Sequence, residues 1–188
     1  MTKAEIRKKY KALRLALNET QVEDISIKIA NKLLQLPVWD KNYYHLFLPI
    51  KKQKEVDTCF ILAVLQGKEK AVTVSRSNFT TGILTHYLLT DKTVLKENRY
   101  GIPEPVDAVP VAVSKIDVVF APLLAFDKKG YRVGYGKGFY DRFLAECRAE
   151  TLKIGLSFFE PEEKIDDISA ADIRLDYCVT PESVYDFS

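Results

Sequence analysis

Apolar positions recur every three or four residues through the first part of the chain, the spacing that lines one side of a helix. Ile6, Tyr10, Leu13 and Leu17 share such a side over residues 3–17, with Lys3, Arg7, Lys11 and Arg14 along a neighbouring stripe. Val22, Ile25, Ile29, Leu33 and Leu36 repeat the pattern over about 20–36. Thr20 is placed to cap this second helix, since its hydroxyl oxygen can accept from the unpaired amides of a first turn, and Pro37 stops it.

The pattern then changes period. Tyr43–Leu48 and Ile116–Ala121 are short, mostly apolar runs, as strands buried on both faces are. Ala71–Ser75, Ile83–Leu89, Leu152–Ser157 and Tyr177–Val179 read as further strands, and 57–66 and about 138–149 as helices. Two prolines in Gly101-Ile102-Pro103-Glu104-Pro105 deny regular hydrogen bonding, so a loop is expected there. Strands alternating with helices predict an α/β fold: one three-layer domain over 1–188, with a mostly parallel central sheet and helices on both faces. Ligands of such sheets sit beyond the carboxyl ends of the strands, where the segment after Ala121 emerges.

Composition narrows the classes. At 47% hydrophobic and 29% charged, the chain can bury a core and is not a disordered one. A net charge of +2 is too small to argue for nucleic acid, and no such partner is expected. No apolar run approaches the roughly 20 residues that span a bilayer, and the first residues lack an apolar leader core. No membrane partner is therefore expected, and a monomer in the cytoplasm is. Cys59, Cys147 and Cys178 are too scattered for a metal set and read as free thiols of a reducing compartment.

The candidate chemistry concentrates between Phe126 and Asp141. Gly130, Gly134, Gly136 and Gly138 are interleaved with Arg132 and Lys137 and lead into a helix. Glycines let a backbone turn sharply and approach a ligand, and amides at a helix start favour anions. Asp141 adds a hard oxygen of the kind magnesium prefers. A phosphate-bearing nucleotide with its metal fits this equipment. The P-loop motif does not: it needs Ser or Thr after Gly-Lys, and Gly136-Lys137 is followed by Gly138. The dinucleotide fingerprint fails too, because Gly134, Gly136 and Gly138 are evenly spaced.

The stretch Ala121-Pro122-Leu123-Leu124-Ala125-Phe126-Asp127, continued by Gly130-Tyr131-Arg132-Val133-Gly134-Tyr135-Gly136-Lys137-Gly138-Phe139-Tyr140-Asp141-Arg142-Phe143-Leu144, closely resembles the 5-formyltetrahydrofolate cyclo-ligase family. Further pieces agree in order: Lys3 with Arg7, Glu55-Val56-Asp57-Thr58, Tyr100-Gly101-Ile102-Pro103-Glu104-Pro105, and Asp172-Ile173-Arg174-Leu175-Asp176 with Val179-Thr180. The likeness spans essentially the whole chain. It implies a three-layer α/β enzyme that uses ATP and Mg to convert 5-formyltetrahydrofolate to 5,10-methenyltetrahydrofolate, releasing ADP and phosphate.

The resemblance also implies roles. Lys3, Arg7, Arg132, Gly134, Tyr135, Gly136, Lys137, Gly138, Phe139 and Tyr140 would bind the nucleotide, with Arg132 and Lys137 as catalytic cations. Leu48, Glu55, Tyr135, Gly136, Lys137, Gly138 and Phe139 would bind the folate, and Asp141 and Asp172 the metal. Taken by itself, the Lys3–Arg7 stripe reads as a solvated helix face. Family members often carry tyrosine at Phe139 and glycine at Lys137, and two residues are inserted here between Leu48 and Glu55. Lys51, Lys52 and Lys54 read by default as an exposed basic turn, with a glutamate tail as the second reading, while His45, His86 and Trp39 receive no chemical role. Apart from the resemblance only Glu55 and the 48–55 segment speak for folate. An ATP-dependent kinase or ligase acting on another small metabolite is therefore the alternative.

Overall fold

Residues 1–188 are all described by a computed structural model. Helix α1 (Lys3–Leu15) starts where Thr2 accepts from the Glu5 amide and the Glu5 carboxylate accepts from the Thr2 amide. Helix α2 (Glu19–Leu33) is capped in the same reciprocal way by Asn18 and Gln21, not by Thr20 as expected. The buried side of α1 is also shifted. Ile6, Tyr10 and Arg14 face inward, whereas Leu13 is 42% exposed. Arg14 goes inside because the carbonyl of Leu123 and the hydroxyl of Tyr135 accept its N–H groups there.

Strand β1 (Tyr43–His45) is followed by a 3-10 turn at Lys51–Gln53 and helix α3 (Cys59–Gly67). Next come β2 (Ala71–Asn78), β3 (Ile83–Leu89), β4 (Val94–Glu97), β5 (Pro103–Val106) and β6 (Val118–Pro122). A small hairpin of β7 (Ala125–Phe126) and β8 (Arg132–Val133) leads to helix α4 (Phe139–Glu146). The chain then adds β9 (Leu152–Leu156), β10 (Tyr177–Val179) and β11 (Val184–Asp186). Seven strands form the central sheet in the order β11-β10-β9-β6-β1-β2-β3. Its five inner strands run parallel, and β3 and β11 close the edges antiparallel.

Strand β6 shows why the sheet is mostly parallel and covered twice. Val118 and Phe120 pack with Ile29 and Leu33 of α2 and Ile61 and Leu65 of α3. Val119 joins Phe143 and Leu144 of α4 on the opposite face. All four residues from Val118 to Ala121 are fully buried, so an apolar run without alternation is what this position requires. Helix α1 lies on neither face: Ile6 and Tyr10 dock onto Ala125 and Val133 of the β7–β8 hairpin. That docking holds the basic stripe of α1 at the carboxyl ends of the parallel strands.

Strands β4, β5, β7, β8 and β11 were not expected from the sequence. Pro103 and Pro105 lie within β5, which pairs with β4 as an isolated ribbon instead of forming a loop. Prolines two positions apart turn both missing N–H groups to one side of an edge strand, where no ladder bond is needed. Strand β11, bonded to β10 through Cys178↔Tyr185, was not expected at all. No helix is long and apolar enough to cross a membrane.

Candidate active site

A cleft of about 430 Å³ opens beyond the carboxyl ends of β1, β2 and β6. The fold brings to its walls every residue that the resemblance assigned to nucleotide, folate or metal: Lys3 and Arg7 from α1, Leu48 and Glu55 from the segment after β1, and Arg132 from β8. Gly134, Tyr135, Gly136, Lys137 and Gly138 follow as the glycine loop, Phe139, Tyr140 and Asp141 begin α4, and Asp172 closes the far side.

The glycine loop is shaped by backbone conformations that side chains resist. Gly136 has φ +94°, and a Cβ there would stand 3.2 Å from the Arg7 guanidinium, which lies across the loop. Arg7 Nε donates to the Gly134 carbonyl at 2.9 Å, so α1 and the loop are directly joined. Gly138 adopts a left-handed φ of +71° as the residue capping α4. Behind it, Arg142 donates to the carbonyls of Lys137 at 2.9 Å and Gly82 at 3.1 Å, tying the loop to the β2–β3 turn. Lys137 itself is exposed and makes no ion pair.

Two ion pairs also lie in the cleft. Arg132, with a side chain only 4% exposed, donates to Asp141 Oδ1 at 2.9 Å and to the Ile173 carbonyl at 2.7 Å. Burial lowers its pKa, and the Asp141 carboxylate opposes that shift. Lys3 Nζ reaches both oxygens of Asp172, at 2.7 Å for Oδ1. The Ser169 amide adds a third bond to Asp172. Burial would raise the Asp172 pKa, but Lys3 and Ser169 bring it below the ordinary carboxylate value. Asp141 Oδ1 also accepts from the Ile173 amide at 3.1 Å, whereas Oδ2 has no hydrogen-bond partner, and the residue lines the cleft. Nowhere do three or more His, Cys, Asp or Glu side chains converge as a ready metal cage.

Glu55 anchors the opposite wall. It is 5% exposed; Oε2 accepts from the Ile50 amide at 2.8 Å and Oε1 from the Tyr135 hydroxyl at 3.0 Å. Arg14 Nη1 donates in turn to that hydroxyl at 2.7 Å. Burial raises the Glu55 pKa, against the opposing pull of the Ile50 amide, the Arg14 charge and Tyr135. Lys54 of the basic turn donates instead to the carbonyls of Leu15 and Leu17 at the end of α1.

Sequence reasoning missed several lining or supporting groups. Arg14 extends the Ile6–Tyr10 line by one more turn, a spacing that could have flagged it. Phe79 and Tyr100 meet at 4.1 Å between ring centroids, with Phe139 edge-on to Phe79 at 5.1 Å. These rings come from three separate segments, and nothing in their local pattern links them. His45 and Ser75 also line the cleft.

A parallel-sheet α/β enzyme with an anion-ready glycine loop and an apolar, acid-anchored wall in one cleft is the class that this fold and site define. The chain belongs to the 5-formyltetrahydrofolate cyclo-ligase family, whose model matches residues 1–181. It is 30% identical over 182 residues to the 5-formyltetrahydrofolate cyclo-ligase of Escherichia coli, covering 93% of this chain and 97% of that one. It is 29% identical over 180 residues to a probable 5-formyltetrahydrofolate cyclo-ligase of Schizosaccharomyces pombe, covering 87% of each. The solved structure of the 5,10-methenyltetrahydrofolate synthetase of Aquifex aeolicus superposes with a TM-score of 0.84 at 31% identity. The match covers 100% of this chain and 93% of that one.

Proposed function

We propose that this chain, acting as one domain, uses ATP and magnesium to close 5-formyltetrahydrofolate into 5,10-methenyltetrahydrofolate, releasing ADP and phosphate. The γ-phosphoryl group passes from ATP to the formyl oxygen, converting a poor leaving group into phosphate. N10 then attacks the activated formyl carbon, N10 loses its proton, and the carbon–oxygen bond breaks with departure of phosphate. Such transfers are accelerated mainly by positioning and by neutralising the charge on the moving phosphoryl group. The observation that carries this reading is the opposition, within one cleft, of Glu55 and the glycine loop with its cations Arg7 and Lys137.

Each residue then has a task its surroundings support. Arg7 and Lys137, with the loop amides, hold the triphosphate. Arg132, largely committed to Asp141 and the Ile173 carbonyl, orients the start of α4 and adds positive field beneath the transferred group. Glu55 accepts from the amino and ring N–H groups of the pterin, for which a fixed acceptor in a dry wall is suited. Leu48 and Phe139 contribute apolar contact to the same ring system. Magnesium is commonly held by one or two carboxylates together with phosphates and water. The unpartnered Oδ2 of Asp141 fits that donor set, whereas Asp172 serves first to hold Lys3. When bound, the ion neutralises phosphate charge. The scattered free thiols of the chain suit a reducing compartment such as the cytoplasm.

The test combines purified protein, ATP, magnesium and 5-formyltetrahydrofolate and follows the absorbance of the methenyl product, omitting each component in turn. Product formation that requires all of them supports the reading. ATP hydrolysis that proceeds at the same rate without folate rejects it in favour of a kinase or ligase for another metabolite.

A further inference from the structure

From the wall of the cleft inward runs a line of polar groups that the chemistry above leaves unused. His45 of β1 is fully buried and His86 of β3 is 5% exposed. Ser75 of β2 stands between them, its Oγ 2.8 Å from His86 Nδ1 and 3.5 Å from His45 Nδ1. The other ring nitrogen of His45, Nε2, lies 3.0 Å from the hydroxyl of Tyr140, which borders the cleft. His86 Nε2 is buried and has no partner. Burial, and then the neighbouring His86 ring, depress the pKa of His45, and burial lowers that of His86 to about 4. Both rings are therefore neutral at physiological pH.

A neutral imidazole carries a single N–H, and serine a single O–H. With Ser75 accepting from one ring and donating to the other, the line has two states. In the inward state Tyr140 donates to His45 Nε2, His45 Nδ1–H to Ser75, and Ser75 to His86 Nδ1. His86 must then carry its proton on Nε2, where nothing accepts it. In the outward state His86 Nδ1–H donates to Ser75, Ser75 to His45 Nδ1, and His45 Nε2–H to the Tyr140 oxygen. Only a lone pair on His86 is then left over. A buried polar group without a partner costs about 1–3 kcal/mol, and orphaned N–H groups are rarer in folded proteins than under-satisfied acceptors. The outward state is favoured.

We propose that His86, Ser75 and His45 form a directed hydrogen-bond line that turns the Tyr140 hydroxyl proton into the cleft, where it donates to an oxygen of the group being transferred. This rests on the proposed reaction for the identity of that group. His45 is then a positioning residue and Tyr140 the group that touches substrate. A hydroxyl whose oxygen accepts from His45 is polarised and donates more strongly, because linked hydrogen bonds reinforce one another.

The direction of the line can be read without turnover. Nitrogen-15 NMR of the free wild-type chain labelled at histidine is expected to place the protons on His45 Nε2 and His86 Nδ1. The reverse pattern overturns the proposal, whether or not the methenyl product forms. In turnover, His45→Phe is expected to lower kcat about tenfold, leaving KM for ATP within about twofold. His45→Gln, whose amide N–H can reach the Tyr140 oxygen, is expected to recover most of the loss. His45→Phe combined with Tyr140→Phe is expected to be no slower than Tyr140→Phe alone. Wild-type kcat in His45→Phe, or additive losses in the double variant, also overturns the proposal. Because β1 lies at the centre of the sheet, the NMR arm remains decisive even where His45→Phe fails to fold.

Discussion

The hydroxyl of Tyr135 stands 3.0 Å from Glu55 Oε1, so a residue of the glycine loop holds the carboxylate of the opposite wall. The arrangement keeps a charged acceptor in a dry place. Because burial raises the folded pKa of Glu55 above its reference value of 4.5, its ionisation opposes folding. Any stability this group lends is present below that value and lost as pH rises through the folded pKa. Glu55→Gln is therefore expected to raise the melting temperature at pH 7, by about 2–4 °C for each kcal/mol relieved. The gap should close below pH 4.5, the reference value of the carboxyl. The same variant is expected to raise KM for the folate about tenfold or more. Melting curves across pH, paired with steady-state kinetics, check both halves.

Asp141→Asn keeps an acceptor for Arg132 and the Ile173 amide while removing the charge at the unpartnered oxygen. The expected outcome is a small change in melting temperature with a loss of turnover of about 100-fold. Titration with magnesium should show the half-saturating concentration rising. Arg132→Ala is expected to behave differently, losing about 3 kcal/mol of stability as well as activity, because it strands a partly buried partner.

Gly136→Ala forces a side chain onto a φ of +94° and brings its Cβ against the Arg7 guanidinium. Strain of about 1–3 kcal/mol is expected, together with a rise in KM for ATP of about tenfold. In the Arg7→Ala background the same substitution should cost less, since the obstructing group is gone. A double-mutant cycle measures the difference.

Asp172 has a depressed pKa, so its contribution is full above its reference value of 3.8 and is lost as pH falls through the folded value. Asp172→Asn is expected to melt below wild type at pH 7, with the two curves converging at acid pH. A gap that stays constant to low pH would show that the Lys3 pair does not stabilise the fold.

Much of the fold was legible because its signals are local. The central run at Val118–Ala121, the helical spacing of Ile29 and Leu33, and the glycine cluster each announce themselves within a few residues. What failed was decided by distant partners. Arg14 looks like one more cation on a wet stripe until Leu123 and Tyr135 arrive to accept its N–H groups. Pro103 and Pro105 look like breakers until an edge position excuses their missing donors. That Asp172 meets Lys3, 169 positions away, with both its oxygens is likewise invisible in the sequence. The Phe79–Tyr100–Phe139 contacts carry no local signature at all.

The clasp between Lys3 and Asp172 has a meaning for how the enzyme comes into being. During synthesis the first helix leaves the ribosome well ahead of the acid that pairs with Lys3, so that contact closes only after the sheet between them has been made. Until then Lys3 has no carboxylate opposite it, whereas Arg7 and Arg14 already meet the carbonyls of Gly134 and Leu123.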